Sequence, residues 1–314
     1  MAADFSGEIE WMENQPPFSK SQVRKLGRSL LKNTDFPEEE RIAIENWHRE
    51  FALRAMSIVK NVVEDVVGEK RAEHAIRLQS IRLKTNKTIT EKLKRNEGGD
   101  RPYNLAEMQD YVGGRFVLDC FHSELFKIFE KVKGRFANSA ISVRCVDRIS
   151  SPMQGYRAVH VVIERPSYGK VEIQLRTILQ SAWANAYEKA SDVFGRSIRY
   201  GEHIRLDGPA AMLVSRLQTI SDNILDIETT VQTNFERTAE LDKQILELSM
   251  NPTHALPLNP EYYRHLSLIY ESKAKAARSN SDLAQSNRGL ISSLQQLEIS
   301  LVALNAHEKE ERNQ

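Results

Sequence analysis

The sequence predicts an α+β protein: a mixed β-sheet core flanked by helices and followed by long C-terminal helices. Three observations carry this prediction. From Asp110 to Arg176, apolar and polar residues alternate with a period of two. On both sides of that stretch the apolar spacing changes to three and four, the period of a helix with one buried face. Beyond residue 209 the same helical spacing continues in two long runs.

The N-terminal part reads as helix. After the Pro16–Pro17 break, SKSQVRKLGRSLLKN and then PEEERIAIENWHREFALRAMSIVKNVVEDVV repeat apolar residues at helical spacing. Pro37 suits a helix start, where a backbone N–H has no partner to lose, and the three glutamates after it favour the positive end of the helix dipole. Residues 1–70 are therefore an N-terminal helical segment. The next stretch, KRAEHAIRLQSIRLKTNKTITEKLKRN, is basic and reads as a further helix, ended by the pair Gly98–Gly99.

In the core, RFVLDC, SVRCV, YRAVHVVI and KVEIQLRT are the strands, with the helical piece SELFKIFEKVKGRF between the first two. ILQSAWANAYEKASDVFGRSI then returns to helix, which gives a domain over 71–200. Residues 201–314 form a C-terminal helical region with a proline-rich break, NPTHALPLNP, near 251–260. One of its runs carries Leu213, Leu217, Ile220, Ile224, Ile227 and Val231; the other carries Leu290, Leu294, Leu297, Leu301 and Leu304. Such stripes are expected to pack against the domain or against a sister chain.

Composition narrows the function classes. The chain has 314 residues, 40% hydrophobic and 28% charged, enough to bury a real core. Its net charge of +1 excludes a protein that binds nucleic acid through an overall positive field, so any anion site must be local. Cys120 and Cys145 both fall in strand-like apolar runs and are expected to be buried thiols in a reducing compartment. The opening MAADFSGEIEWMENQPP is acidic where a secretory signal is basic and then apolar, and no apolar run has the length of a membrane span, so a cytoplasmic protein is expected.

Four stretches could carry chemistry. Arg82, Lys84, Thr88 and Lys92 follow R-x-K-x-x-x-T-x-x-x-K; on a helix, the spacing of four would line two ammoniums and a hydroxyl along one face, as a polyphosphate requires. The same spacing also fits a solvated face. In DYVGGRFVLDC, Asp110 precedes a strand, Gly113 and Gly114 let a ligand approach the backbone, and Arg115 projects opposite Phe116 and Leu118. An acid beside cations suggests a hard oxygen ligand for Mg²⁺; a turn aspartate with glycines serving a bend fits equally.

In KVEIQLRT, Val171, Ile173 and Leu175 take the core face while Glu172, Gln174 and Arg176 take the other, where they must meet water or a ligand. Glu172 is a candidate base or second metal ligand if its strand neighbours that of Asp110. In SPMQGYRAVH, Tyr156 stands beside cations at a loop edge and could stack a nucleobase, or serve packing; His160 on the following strand could equally be a satisfied core histidine.

In this order RLKTNKTITEKL, DYVGGRFV, GYRAVH and VEIQLRT, spread over residues 82–177, resemble the RelA/SpoT alarmone synthetases. The resemblance implies a nucleotidyltransferase-like synthetase fold that moves the β,γ-pyrophosphate of ATP to the 3′-hydroxyl of GDP or GTP, making (p)ppGpp with Mg²⁺ as cofactor. It implies that Arg82 and Arg115 sandwich the adenine and that Lys84, Thr88 and Lys92 hold the phosphates. Asp110 would bind the metal, and Glu172 would bind metal or deprotonate the acceptor. Tyr156 would stack on the acceptor base, with His160, Gln174 and Arg176 on the acceptor side.

Two departures from the family pattern stand out. Met153 replaces a lysine in a loop one residue shorter than usual, and WANAYEKAS shifts Glu188 and lacks a following histidine. Nothing resembles the family's hydrolase motif or its regulatory modules, so the resemblance implies a short, synthetase-only member. The altered loop keeps open a toxic member that uses adenosine nucleotides or the tRNA 3′ end as acceptor, with a cognate antitoxin. A catalytically silent nucleotide-binding scaffold and a homo-oligomer through the C-terminal helices are further alternatives.

Overall fold

The computed structural model describes residues 5–95, 105–201, 208–250 and 260–313. The chain divides into two compact units, Met1–Pro152 with Arg157–Ile178, and Met153–Tyr156 with Leu179–Gln314. No described helix is long and apolar enough to cross a membrane.

The first unit opens with helices α1 (Ser6–Glu13), α2 (Lys20–Lys32), α3 (Glu38–Val67) and α4 (Glu69–Ala75). Ser19 caps α2 through its hydroxyl and Gln22, and Pro37 with Glu38, Glu39 and Glu40 starts α3 as their chemistry demands. Then follow β1 (Ile76–Leu83), α5 (Asn86–Arg95), β2 (Val112–Leu118), α6 (His122–Arg135), β3 (Ser142–Asp147), β4 (Val159–Arg165) and β5 (Gly169–Thr177). The five strands form one sheet in the order β1-β2-β5-β4-β3. β2 and β5 run parallel and the other pairs antiparallel, so the sheet is mixed, as expected.

Helices α3 and α6 pack on one face of this sheet. That face presents Val112, Phe116, Leu118, Val171, Ile173 and Leu175, all buried, to Ile44, Phe51, Met56 and Val59 of α3 and to Leu125 and Ile128 of α6. Gly114 belongs to this covered face. A Cβ there would run into Met56 Sδ and press on Ile173, so this glycine serves helix–sheet packing rather than approach of a ligand. Gly113 points the other way, where a Cβ would meet only the Glu172 carbonyl, at 3.8 Å.

Two further expectations are corrected. The basic stretch read as one helix is a strand followed by a helix: β1 pairs with β2 from Ile76 to Leu83, and α5 begins at Asn86. Ile76 is out of phase with Ile81 and Leu83 because the register shifts between Ile76 and Leu78, and Leu78 itself projects from the other face, which hides the alternation. Gly98–Gly99, the expected end of that helix, lie outside the described residues. Both cysteines are half-buried rather than buried, Cys120 past the end of β2 and Cys145 on the edge strand β3, and neither is in a disulfide.

The second unit comprises the loop Met153–Tyr156, most of α7 (Ile178–Phe194), α8 (Gly208–Met250) and α9 (Pro260–Asn313). Trp183 and Tyr187 stack in its core, and the Trp183 indole donates to the Leu217 carbonyl at 2.6 Å. Leu213, Leu217, Ile220, Ile224 and Ile227 of α8 share one cluster with Leu290, Leu294, Leu297 and Leu301 of α9. The two stripes thus close on each other within one chain, while Leu304 stays 45% exposed. The break near 251–260 falls almost wholly outside the described residues.

Candidate active site

The face of the sheet turned away from α3 and α6 gathers most of the polar residues singled out in the sequence. By register, Arg82 lies opposite Gly113 and Gly113 opposite Glu172, while Arg115 lies opposite Gln174 and Gln174 opposite His160. Residues directly across a ladder project from the same face, so these side chains share one surface.

Asp110 sits two residues before β2 and is held there by its neighbour. Tyr111 is 2% exposed, with its ring edge-on to His48 at 4.8 Å, and its carbonyl accepts from the Lys84 N–H at 3.1 Å. That bond sets Lys84 at the end of β1, off the helix on which the sequence spacing had placed it. Lys92 comes from α5, whose Ile89 and Leu93 are buried and whose Thr90 hydroxyl donates to the Leu30 carbonyl of α2. Thr85 immediately precedes α5: its carbonyl accepts from the Ile89 N–H at 3.0 Å and from the Thr88 hydroxyl at 2.8 Å.

The two lysines converge on one acid. Lys84 Nζ lies 3.0 Å from Asp110 Oδ2, and Lys92 Nζ lies 2.6 Å from Asp110 Oδ1. Burial pushes the Asp110 carboxyl up, but the charges of Lys92 and Lys84 and their hydrogen bonds outweigh it and hold the group below its ordinary value.

On the neighbouring strand β5, Glu172 Oε1 accepts from His160 Nδ1 at 3.0 Å, and both side chains are nearly buried. Burial raises the Glu172 carboxyl and nearby Asp110 adds to that; the hydrogen bond and charge of His160, with the charge of Lys92, overcome both and leave it lowered. Asp110 and Glu172 therefore feel each other's charge, and Lys92 acts on both.

Two further polar residues of β5, Gln174 and Arg176, are bonded to each other. Arg176 is 5% exposed and donates from Nη2 to Gln174 Oε1 at 2.6 Å. Tyr156 belongs to the second unit and is partly buried against its helical core, in the loop that Gln218 holds through Gln154 at 2.9 Å and Ser221 holds through the Gly155 carbonyl. Met153 pairs with Tyr156 as an isolated bridge and is 39% exposed. Glu188 pairs with Arg199 across the turn after α7.

Sequence reading missed two features. The contact between His160 and Glu172 joins residues on different strands, and only the register of β4 against β5 reveals it. Lys170, two residues before Glu172, is tied to Glu107 at 2.9 Å and Glu164 at 3.3 Å, so it is a paired cation. Among the described residues no group of three or more His, Cys, Asp or Glu is placed to hold a metal. The acids beside Lys84 and Lys92 on this face are Asp110 and Glu172.

Residues 81–192 match the family model described as "Region found in RelA / SpoT proteins". The uncharacterized protein Rv1366 of Mycobacterium tuberculosis is 34% identical over 194 residues, which cover 61% of this chain and 65% of that protein. GTP pyrophosphokinase YwaC of Bacillus subtilis is 25% identical over 165 residues, 48% of this chain and 78% of that protein. Among solved structures, the small alarmone synthetase 1 from Bacillus subtilis aligns at 22% identity with a TM-score of 0.40, over 65% of this chain and 99% of that chain. A form of it bound to AMPCPP aligns at 20% identity with a TM-score of 0.37, over 61% and 98%.

Proposed function

We propose that the chain, whose residues 81–192 match a region found in RelA/SpoT proteins, is an ATP-dependent pyrophosphotransferase acting on the 3′-hydroxyl of a guanosine nucleotide. The single observation that carries the reading is the pairing of Lys84 and Lys92 with Asp110, next to Glu172 on the adjoining strand.

The residues support a division of labour. Arg82 and Arg115 are diagonal neighbours on β1 and β2, at a backbone separation of about 7–8 Å, which is the width that two guanidinium planes need around a planar adenine. Lys84, Lys92 and the Thr88 hydroxyl meet the phosphates of ATP. As the triphosphate takes the two ammoniums, the Asp110 carboxylate is released.

The donor set fits Mg²⁺, which takes one or two carboxylates and fills its remaining positions with water and substrate phosphate; Asp110 would hold it, and Glu172 would either join it there or serve as the base, the role taken for it below. Bound there, the ion would supply neutralisation of the charge that builds on the phosphates.

Glu172 accepts the proton of the acceptor 3′-hydroxyl. The deprotonated 3′-oxygen of the acceptor then bonds to the β-phosphorus, the bridging bond between the α- and β-phosphates breaks, and AMP leaves. Alignment and charge neutralisation supply most of the acceleration in such transfers. Gln174 and Arg176 take the acceptor side.

We take 71–200 as the synthetase domain, with 1–70 and 201–314 as its helical attachments, in a cytoplasmic protein. The exposed Met153 favours a second acceptor class, adenosine nucleotides or the tRNA 3′ end, because no cation stands at that position to meet an acceptor phosphate.

One experiment tests all of this. ATP labelled at the γ-phosphate is incubated with the protein, Mg²⁺ and, in turn, GDP, GTP, ADP, ATP or deacylated tRNA. Label on GDP or GTP is the expected result. Label on ADP, ATP or tRNA alone would move the acceptor to the second class, and label nowhere would end the enzymatic reading in favour of a nucleotide-binding scaffold.

A further inference from the structure

The geometry points to His160 as the positioning residue of Glu172, acting through that carboxylate and not on the phosphates of the acceptor. This inference rests on the reading of Glu172 as the base.

His160 and Glu172 come from neighbouring strands. His160 lies opposite Gln174 on β5, so Glu172 is its diagonal neighbour on the same face. The imidazole Nδ1 donates to Glu172 Oε1 at 3.0 Å, a normal length for a hydrogen bond to a carboxylate. The side chains are 11% and 13% exposed, so water competes weakly for the bond.

A glutamate on a strand has three rotatable bonds before its carboxylate, and catalysis by a base requires that the oxygen be held within hydrogen-bond reach of the proton it takes. Anchoring Oε1 to a ring that is fixed in the sheet removes that freedom. Among the described residues Oε2 has no hydrogen-bond partner, so the anchored carboxylate keeps one oxygen available to the acceptor hydroxyl.

Kinetics of three variants decide the matter, measured by pyrophosphate transfer to the acceptor that the wild-type protein uses. His160→Leu is expected to lower kcat by roughly thirtyfold or more, with KM for ATP and for the acceptor within about twofold of wild type. His160→Asn puts an amide donor near the position of Nδ1 and is expected to restore most of that loss. In a Glu172→Gln background, His160→Leu is expected to cost nothing further, because two residues acting as a unit are not additive.

A rise in acceptor KM at unchanged kcat, or full additivity with Glu172→Gln, would overturn the inference and return His160 to the acceptor phosphates. Melting curves guard against misfolding of the leucine variant; should it unfold, the asparagine and double variants still decide. A wild-type protein that transfers pyrophosphate to no acceptor would instead remove the parent reading, and with it the base that His160 is said to hold.

Discussion

The two faces of the sheet share one alternation and carry opposite chemistry. Under α3 and α6, Val112, Phe116, Val171, Ile173 and Leu175 are buried. On the other face Gly113, Arg115, Glu172 and Gln174 are half-buried, and their strands' polar groups bond in pairs, His160 with Glu172 and Arg176 with Gln174. One face is held by filled volume; the other is held by directed bonds and keeps its shape before any ligand arrives. Substitutions should therefore separate: stability on the covered face, rate on the open one.

The largest expected effect is on the open face. Glu172→Gln keeps the volume and removes the base, so kcat should fall about 10³-fold while the melting temperature stays within about 2 °C, by transfer assay and calorimetry. A variant that loses stability in step with rate would break the contrast between the faces. Phe116→Ala is its counterpart on the covered face: Phe116 is 0% exposed, and its loss should cost about 4 kcal/mol in urea unfolding, with KM for ATP unchanged per folded molecule.

The third test uses pH. His48 of α3 lies against the covered face with Nδ1 2.7 Å from the Ile44 carbonyl; burial lowers its pKa to about 4, against the pull of the Ile44 and Tyr168 carbonyls. Between the unfolded value near 6.5 and that folded value, the unfolded chain binds a proton that the folded chain refuses. Stability should thus fall as pH drops through this window, by up to about 3 kcal/mol.

Asp110 and Glu172 have depressed folded values, so their contribution is complete above 3.8 and 4.5 respectively and is lost only as pH falls further. His48→Leu should flatten the slope between pH 6.5 and 4.5 and leave the more acidic limb. A slope that survives the substitution would assign it elsewhere.

The smallest and sharpest comparison is between adjacent glycines. Gly114→Ala forces Met56 to shift and should cost about 2 kcal/mol, whereas Gly113→Ala should change unfolding free energy by under about 0.5 kcal/mol, because its Cβ meets only ordinary contact. Equal effects in urea titrations would mean that the two faces are not distinguished as described.

Much of the fold was legible because its periods are local. KVEIQLRT alternates strictly and forms β5 within a residue of its expected bounds, and Pro37 with its glutamates marks the start of α3. β1 was not legible: it is an edge strand with an irregular register, and exposed Arg77, Leu78, Gln79 and Ser80 leave no covered stripe to read. In consequence Lys84 was assigned to a helix, although its convergence with Lys92 survives by another route, from a strand end and a helix reaching one carboxylate. The leucine stripes announced a partner, and only the folded chain shows that the partner is the neighbouring helix.

By itself the sequence determined which residues face together along each element, since side-chain direction follows the period of the backbone. It also determined the chemistry available: two acids, a set of lysines and arginines, and a histidine in one short span. What only the tertiary structure decided is which of these meet. Strand order and register are contacts between segments distant in the chain, and no local period encodes them; they set Glu172 beside Gly113 and give it His160 as a partner, and they turn one glycine of a pair toward Met56 and the other toward the Glu172 carbonyl.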